Sequence, residues 1–130
     1  MQAATRANDI RTSTRKIRLV ADAIRGLGLD EALDALSVIK KRGAHDLGKV
    51  LKSAASNAVN NSKLDRNNLK IKTIDVNEGS ALKRFHPSTR GRVHPYKKRS
   101  TNIRIVLEEF VPKTKTDEAN KKGVQIANSK

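Results

Sequence analysis

The sequence predicts an α+β fold with a protruding β-hairpin, and three observations predict it. Apolar residues recur at helical spacing in three segments of the first 60 residues, and later alternate with polar residues in two segments. The 130-residue chain has a net charge of +15, and its residues 79–107 contain eight basic residues and no acidic one. Two strands that bracket such a segment can pair antiparallel and leave residues 79–101 as a basic arm.

The first two elements are predicted to be a short edge strand, Ala3 to Arg11, and an amphipathic helix. Thr12 and Ser13 can cap the helix with their side-chain oxygens, and Gly26 can end it in the left-handed conformation. Its buried face is apolar: Ile17, Val20, Ala21 and Ile24. Its opposite face carries Arg15, Arg18, Asp22 and Arg25. That face fits equally well a solvated surface, with Asp22 bridging two arginines, and a ridge that faces phosphates.

Two further helices follow, each with one apolar stripe. Asp30 is expected to cap the second helix, whose inner residues are Leu33, Leu36 and Ile39. The basic run Lys40-Lys41-Arg42-Gly43 then breaks it, and the dipole of the helix end is sufficient reason for those charges. The third helix runs roughly from Ala44 to Asn60. Its inner stripe contains small residues that allow close packing: Leu47, Val50, Leu51, Ala54 and Ala58.

The two strands differ in the regularity of their alternation. Leu69 and Ile71 share one face, whereas Ile74 and Val76 continue one residue out of phase, which predicts a bulge near Thr73. The second strand alternates without interruption at Ile103, Ile105 and Leu107. The length of the chain predicts a single domain, residues 1–111, that includes the arm. The polar, Lys-rich tail, residues 112–130, is expected to be mobile.

Composition argues against several classes of function. The chain has no cysteine, which excludes disulfides and thiolate metal sites, and its 2% aromatic content disfavours a stacking platform for unpaired bases. No apolar run approaches the ~18 residues of a membrane span and no export signal is evident, so we expect a soluble, cytoplasmic protein without membrane contact. His45, His86 and His94 lack partners for catalysis or metal binding. We therefore expect neither enzyme activity, nor a metal, nor a cofactor.

The basic arm is the main positive indication of function. Its cations suit a phosphate backbone, and arginine can also bind it in bidentate fashion. These cations are Lys83, Arg84, Arg90, Arg92, Lys97, Lys98, Arg99 and Arg104. Because acidic residues are absent there and aromatic residues are scarce, folded RNA is a more fitting partner than unpaired bases.

Several motifs, in order along the chain, resemble one known family. The stretch Ser13 to Gly26 resembles the first-helix motif of the twenty-second large-subunit ribosomal protein family, with Thr14 where the family usually has proline. The stretch Lys52 to Ala58 and the pair Asn60-Asn61 resemble its third helix. The loop that follows the third helix in this family is matched by Leu64-Asp65 and Leu69. The family's hairpin and last strand are matched by Glu78-Gly79, Leu82-Lys83-Arg84, Pro87, Arg90-Gly91-Arg92 and the run Lys98 to Ile103. The resemblance covers roughly residues 6–110.

Two features depart from the family's pattern. Ser88-Thr89 stands where the family usually has a basic residue and a small one, which weakens the expectation of a phosphate contact there. The tail after Val111 extends beyond the family's usual end.

The resemblance implies three helices packed on a small antiparallel sheet, with the hairpin projecting from it. It further implies a structural constituent of the large ribosomal subunit, cytoplasmic or organellar, that binds large-subunit ribosomal RNA and supports its assembly. The hairpin would line the exit tunnel. The implied partners are this RNA, neighbouring large-subunit proteins and the nascent peptide, with the chain a monomer within the ribosome.

The resemblance also assigns roles to residues of this sequence. The implied RNA-binding residues are Arg11, Arg15, Lys16, Arg18, Arg25, Lys52, Asn57, Asn60, Asn61, Lys83, Arg84, Arg90, Gly91, Arg92, Lys97, Lys98 and Arg99. The implied tunnel-facing tip consists of His86, Pro87, Ser88, Thr89, Arg90, Gly91, Arg92 and Val93.

Two other classes of function are consistent with a basic arm. A DNA-architectural protein could insert such an arm into the minor groove, and it would be expected to dimerise and to bend duplex DNA. A small RNA-processing enzyme is disfavoured, because no acid–base pair can be assembled from the available side chains.

Overall fold

The computed structural model describes residues 1–110, which form three helices and a three-stranded antiparallel sheet in the order β1–β3–β2. The elements are β1 (Gln2–Ile10), α1 (Thr14–Ile24), α2 (Leu29–Val38), α3 (Arg42–Asn60), β2 (Leu69–Pro87) and β3 (Val93–Glu109). The predicted α+β class, with an edge strand and a hairpin formed by the last two strands, is confirmed. The predicted mobile tail, residues 112–130, lies outside the described residues.

The helices cover one face of the sheet, and α1 and α3 bury their predicted apolar stripes against it. In α2 the prediction holds only for Leu36, because Leu33 and Ile39 are partly buried and the other buried residues are Leu29 and Ala32. Ile17 of α1, Leu51 of α3 and Ile105 of the central strand β3 are fully buried. Burial of a side chain of this size contributes about 1.5–3 kcal/mol. Ala54 and Ala58 are buried as well, and α3 contacts β1 and β3. The core therefore lies between α3 and the body of the sheet, and the distal part of the hairpin is left without a core.

The prediction that a side chain caps the start of α1 is wrong. Ser13 is the N-cap residue, but its side chain makes no capping hydrogen bond. The Thr12 hydroxyl instead donates to the carboxylate of Asp46 in α3, at 2.8 Å. A tertiary acceptor thus takes the group that could have capped the helix. Gly26 has φ = +76°, so the left-handed conformation predicted at the helix end is confirmed.

The start of α2 also differs from the prediction. Gly28, not Asp30, is the N-cap residue, and its amide donates to the Glu31 carboxylate at 3.3 Å. Asp30 lies within the first turn, where its charge suits the positive end of the helix, and it pairs with Arg66 at 3.1 Å. The third helix begins at Arg42, two residues earlier than predicted.

Three irregularities of strand pairing shape the sheet. The bulge predicted near Thr73 is confirmed by the register shift between Ile71 and Thr73. A second shift, between Glu78 and Ala81, falls where the hairpin leaves the core, and a third interrupts β1 between Ala7 and Ile10. Bulges bend a strand and increase its twist. The latter two therefore set the direction in which the arm leaves the sheet.

Candidate nucleic-acid interface

The arm presents cations on both of its faces. Every side chain of residues 80–99 is exposed, and strand pairing runs from Ala81 opposite Arg99 to Pro87 opposite Val93. Because side chains alternate across a strand, one face carries Leu82, Arg84, His86, His94, Tyr96 and Lys98. The other face carries Lys83, Phe85, Pro87, Val93, Pro95 and Lys97. An arm built in this way can meet polyanions on both sides at once.

Strand pairing within the arm also places like charges together. Lys83 lies directly opposite Lys97. Such pairs destabilise a sheet. Glu78, at the base of the arm, contacts Arg99 at 3.5 Å and pairs with neither of these lysines. A polyanion that screens the lysines would therefore stabilise the arm.

An aromatic stack offsets part of this repulsion. His86 and Tyr96 lie on neighbouring strands with their ring centroids 4.5 Å apart and their planes 20° from parallel. This pair was not among the contacts predicted from the sequence. Pairing the residues of the two strands outward from the tip would have predicted the stack, because His86 then lies opposite His94 and Tyr96 is its diagonal neighbour.

The tip is a tight turn stabilised by its own backbone. The Ser88 amide donates to the Arg92 carbonyl at 2.8 Å, and the Arg92 amide donates to the Thr89 carbonyl at 3.3 Å. Arg90 and Gly91 both adopt left-handed conformations, with φ of +57° and +69°. Gly91 therefore contributes the shape of the turn, whereas the side chains of Arg90 and Arg92 are exposed.

A basic cleft of 540 Å³ lies at the base of the arm, where the β1–α1 turn, the start of α3 and β3 meet. Six cationic side chains line it and no acidic one does: Arg11, Lys16, Lys41, Arg42, Lys98 and Arg99. The fold thus brings together two predicted residues from the chain start and two from the arm. Lys41 and Arg42 were missed because their charges were attributed to a helix dipole. The run Lys40-Lys41-Arg42 was itself the available signal.

The arginines of α1 divide between internal and outward roles. Arg18 donates through two nitrogens to the Val76 carbonyl, at 2.9 and 3.1 Å, on the outer edge of β2. Asp22 pairs with Arg25 at 3.2 Å, so within residues 1–110 the expected bridge includes only one of the two arginines. Exposed pairs of this kind contribute only about 0–1 kcal/mol, so Arg25 can exchange its carboxylate for a phosphate. Arg15 is exposed on the same helix.

The predicted residues of α3 lie towards its C-terminal end, away from the basic cleft. The Asn57 side chain donates to the Thr5 hydroxyl at 3.0 Å and so connects α3 to β1. Lys52 and Asn60 line a groove of 470 Å³ together with Leu33, Ala55, Ser56, Val59 and Arg66. Asn61 is exposed at the end of the helix.

A polar network anchors the base of the arm. The Asp9 carboxylate accepts from the hydroxyls of Ser80 and Ser100, at 2.8 and 3.2 Å. The Ser100 hydroxyl also lies 2.6 Å from the Ser80 carbonyl. The hydrogen bond from Ser80, followed by that from Ser100, holds the pKa of Asp9 below its ordinary value. The network joins β1 to both strands of the arm at the two bulges.

Within residues 1–110, no cluster of three or more His, Asp or Glu side chains is placed to hold a metal ion. No helix in that same range is long and apolar enough to cross a membrane.

These features define a small α+β protein with a basic β-arm, whose surface chemistry suits nucleic acid. The sequence profile of one family, described as ribosomal protein L22p/L17e, matches residues 5–108, and the chain belongs to this family of ribosomal proteins. It is accordingly not a member of an enzyme family.

Curated relatives match most of this chain and most of their own length. The large ribosomal subunit protein uL22 of Thermus thermophilus is 48% identical over 109 residues, which cover 84% of this chain and 96% of that protein. The uL22 protein of Mesoplasma florum is 44% identical, with 84% and 97% covered. That of Pediococcus pentosaceus is 45% identical, with 79% and 87% covered.

Proposed function

We propose that this chain is a structural protein of the large ribosomal subunit. In this proposal it binds large-subunit ribosomal RNA, supports its assembly and lines the nascent-peptide exit tunnel with its arm. Residues 1–111 act as one RNA-binding domain, and the chain is a monomer within the ribosome. Neighbouring large-subunit proteins and the nascent peptide at the tip, residues 86–93, are its other partners.

The single observation that carries the proposal is the arrangement of charge on the arm. Residues 80–99 are exposed on both faces, carry cations on both faces and include no acid. A surface of this kind is favourable only where phosphates approach from both sides, as they do between converging RNA segments. The basic cleft supports the proposal, because it continues the same charge onto the globular part.

The salt dependence of binding tests the RNA contact. Lys83→Gln/Lys97→Gln removes two cations from the arm, and Lys49→Gln/Lys63→Gln is a control matched in charge at exposed positions outside it. We expect the arm variant to reduce the slope of log affinity against log salt by about 1.5 and the control to leave it unchanged. Filter binding to a large-subunit ribosomal RNA transcript measures both. Equal slopes for wild type and arm variant would contradict the proposal.

The tunnel role needs a separate experiment in assembled subunits. A photoreactive amino acid at Val93 is expected to crosslink an arrested nascent peptide, whereas one at Ala81, near the base of the arm, is not. Crosslinks to nascent peptide from neither position would overturn the tunnel assignment and leave the RNA assignment intact. Tighter binding and bending of duplex DNA than of ribosomal RNA would instead support an architectural DNA-binding protein.

A further inference from the structure

The face of the sheet opposite the helices carries its own concentration of charge. Thr5 of β1 faces the helices, because its hydroxyl accepts from Asn57 of α3. The next residue, Arg6, therefore points to the open face. Ile103 and Ile105 of β3 are fully buried towards the helices, so Arg104 between them is directed to the open face as well.

Strand pairing brings these two arginines together. Arg6 is the direct partner of Arg104 in the β1–β3 register, which places their Cβ atoms about 5 Å apart. Asp75 is the partner of Arg104 on the other side, yet within residues 1–110 neither arginine has a carboxylate oxygen within 4.0 Å. Elsewhere on this face, Lys72 is neutralised by Glu108 at 3.0 Å. The arginine pair is thus a local excess of positive charge.

The two arginines line a notch of 280 Å³ whose other walls are almost entirely polar: Asn8, Asp75, Asn77, Asn102 and Ile103. The Asn102 side-chain oxygen accepts from the Asp9 amide at 2.9 Å. The amide nitrogen of Asn102 therefore remains able to donate to a ligand. The notch combines two guanidinium groups and side-chain amides, the donor set that phosphate and ribose oxygens accept from, with the one carboxylate of Asp75, so two positive charges face one negative charge.

We propose that this notch, which we call the sheet-face notch (Arg6, Asn8, Asp75, Asn77, Asn102, Ile103 and Arg104), is a second RNA-binding site that holds one backbone phosphate between Arg6 and Arg104. The inference rests on the proposed function and adds a contact on the face opposite the helices. A bridging phosphate converts the repulsion between the arginines into two charge-assisted hydrogen bonds. RNA is favoured over a neighbouring protein because no aromatic residue lines the notch and its one apolar residue, Ile103, is fully buried, unlike the centre of a typical protein interface.

Two measurements on the full chain test the site with Arg6→Gln, Arg104→Gln and the double variant. Each single variant should weaken binding to a large-subunit ribosomal RNA transcript roughly threefold to tenfold. The losses should be less than additive in the double variant, because both arginines hold one phosphate. The urea midpoint of the free protein should rise for Arg6→Gln, which removes the like-charge contact. It should stay near the wild-type value for Arg104→Gln, which removes both that contact and the attraction to the opposing Asp75. Lys72→Gln, on the same face but ion-paired, is the matched control and should keep its RNA affinity.

The outcomes are separable. Unchanged affinity of all three arginine variants, while the arm variant Lys83→Gln/Lys97→Gln still loses affinity, overturns the sheet-face notch and leaves the proposed function standing. If wild type and all variants fail to bind the transcript, the proposed function fails as well. Affinity and urea midpoint falling together would assign the arginines a structural role and overturn the inference. Normal RNA affinity with lost incorporation into reconstituted subunits would identify a protein carboxylate as the ligand and overturn the RNA assignment.

Discussion

Replacing Gly79 with alanine should disrupt the base of the arm. A Cβ atom at this position would lie 2.6 Å from the Ser100 hydroxyl oxygen, 3.1 Å from the Asn102 side-chain oxygen and 3.2 Å from the Ser100 carbonyl carbon. The hydroxyl cannot rotate away without cost, because its one proton is shared between the Ser80 carbonyl, at 2.6 Å, and the Asp9 carboxylate, at 3.2 Å. The substitution must therefore break this network or separate β2 from β3.

The magnitude follows from those contacts. Loss of the hydrogen bond that the Ser100 hydroxyl donates costs about 0.5–1.5 kcal/mol. Overpacking against the Ser100 backbone adds about 1 kcal/mol or more. We expect Gly79→Ala to lower the free energy of unfolding by about 1.5–3 kcal/mol in total.

Urea denaturation of a double-mutant cycle checks the mechanism. Ser100→Ala removes the clashing oxygen, so its stability loss and that of Gly79→Ala should add to more than the loss in the double variant. Gly48→Ala is the matched control, since a Cβ there meets nothing within 4 Å and α3 favours alanine over glycine. Additive losses, or a Gly79→Ala variant as stable as wild type, would refute the reasoning.

Three further outcomes are expected. Because the pKa of Asp9 is lowered in the folded state, its contribution to stability should be complete above its ordinary value of 3.8 and be lost as pH falls through the folded-state value. Urea midpoints measured from pH 6 down to pH 2 should therefore decline more steeply for wild type than for Asp9→Asn. Leu51→Ala should lower the free energy of unfolding by about 2–5 kcal/mol, because Leu51 is fully buried, whereas Val59→Ala at an exposed position should cost little; thermal or urea unfolding measures both. Backbone amides of residues 80–99 should exchange rapidly in the free protein and become protected when RNA is bound. Hydrogen exchange that is slow in both states would contradict the claim that repulsion between its cations destabilises the free arm.

The spacing of apolar residues along each segment of the chain accounts for the parts of the fold that could be predicted from the sequence. The stripe from Ile17 to Ile24 and the change of phase near Thr73 specify which way each side chain faces, and both hold in the structure. The failures were at helix ends. Thr12 and Asp30 each have a side chain able to cap, but Asp46 and Arg66, distant in sequence, are their partners instead. Capping strength is comparable to one tertiary hydrogen bond, so local propensity alone cannot decide between them.

By itself, the sequence determined the elements, the apolar faces and the acid-free arm, because helix and strand periodicity and the distribution of charge are properties of neighbouring residues. Only the tertiary structure decided which cations share a space. Lys41 and Arg42 join Lys98 and Arg99 in one cleft, and Arg6 meets Arg104 across a strand pair, although each of these partners is far from the other along the chain. The physical reason is register, since packing of the buried face sets the strand alignment and thereby places the charges on the exposed face.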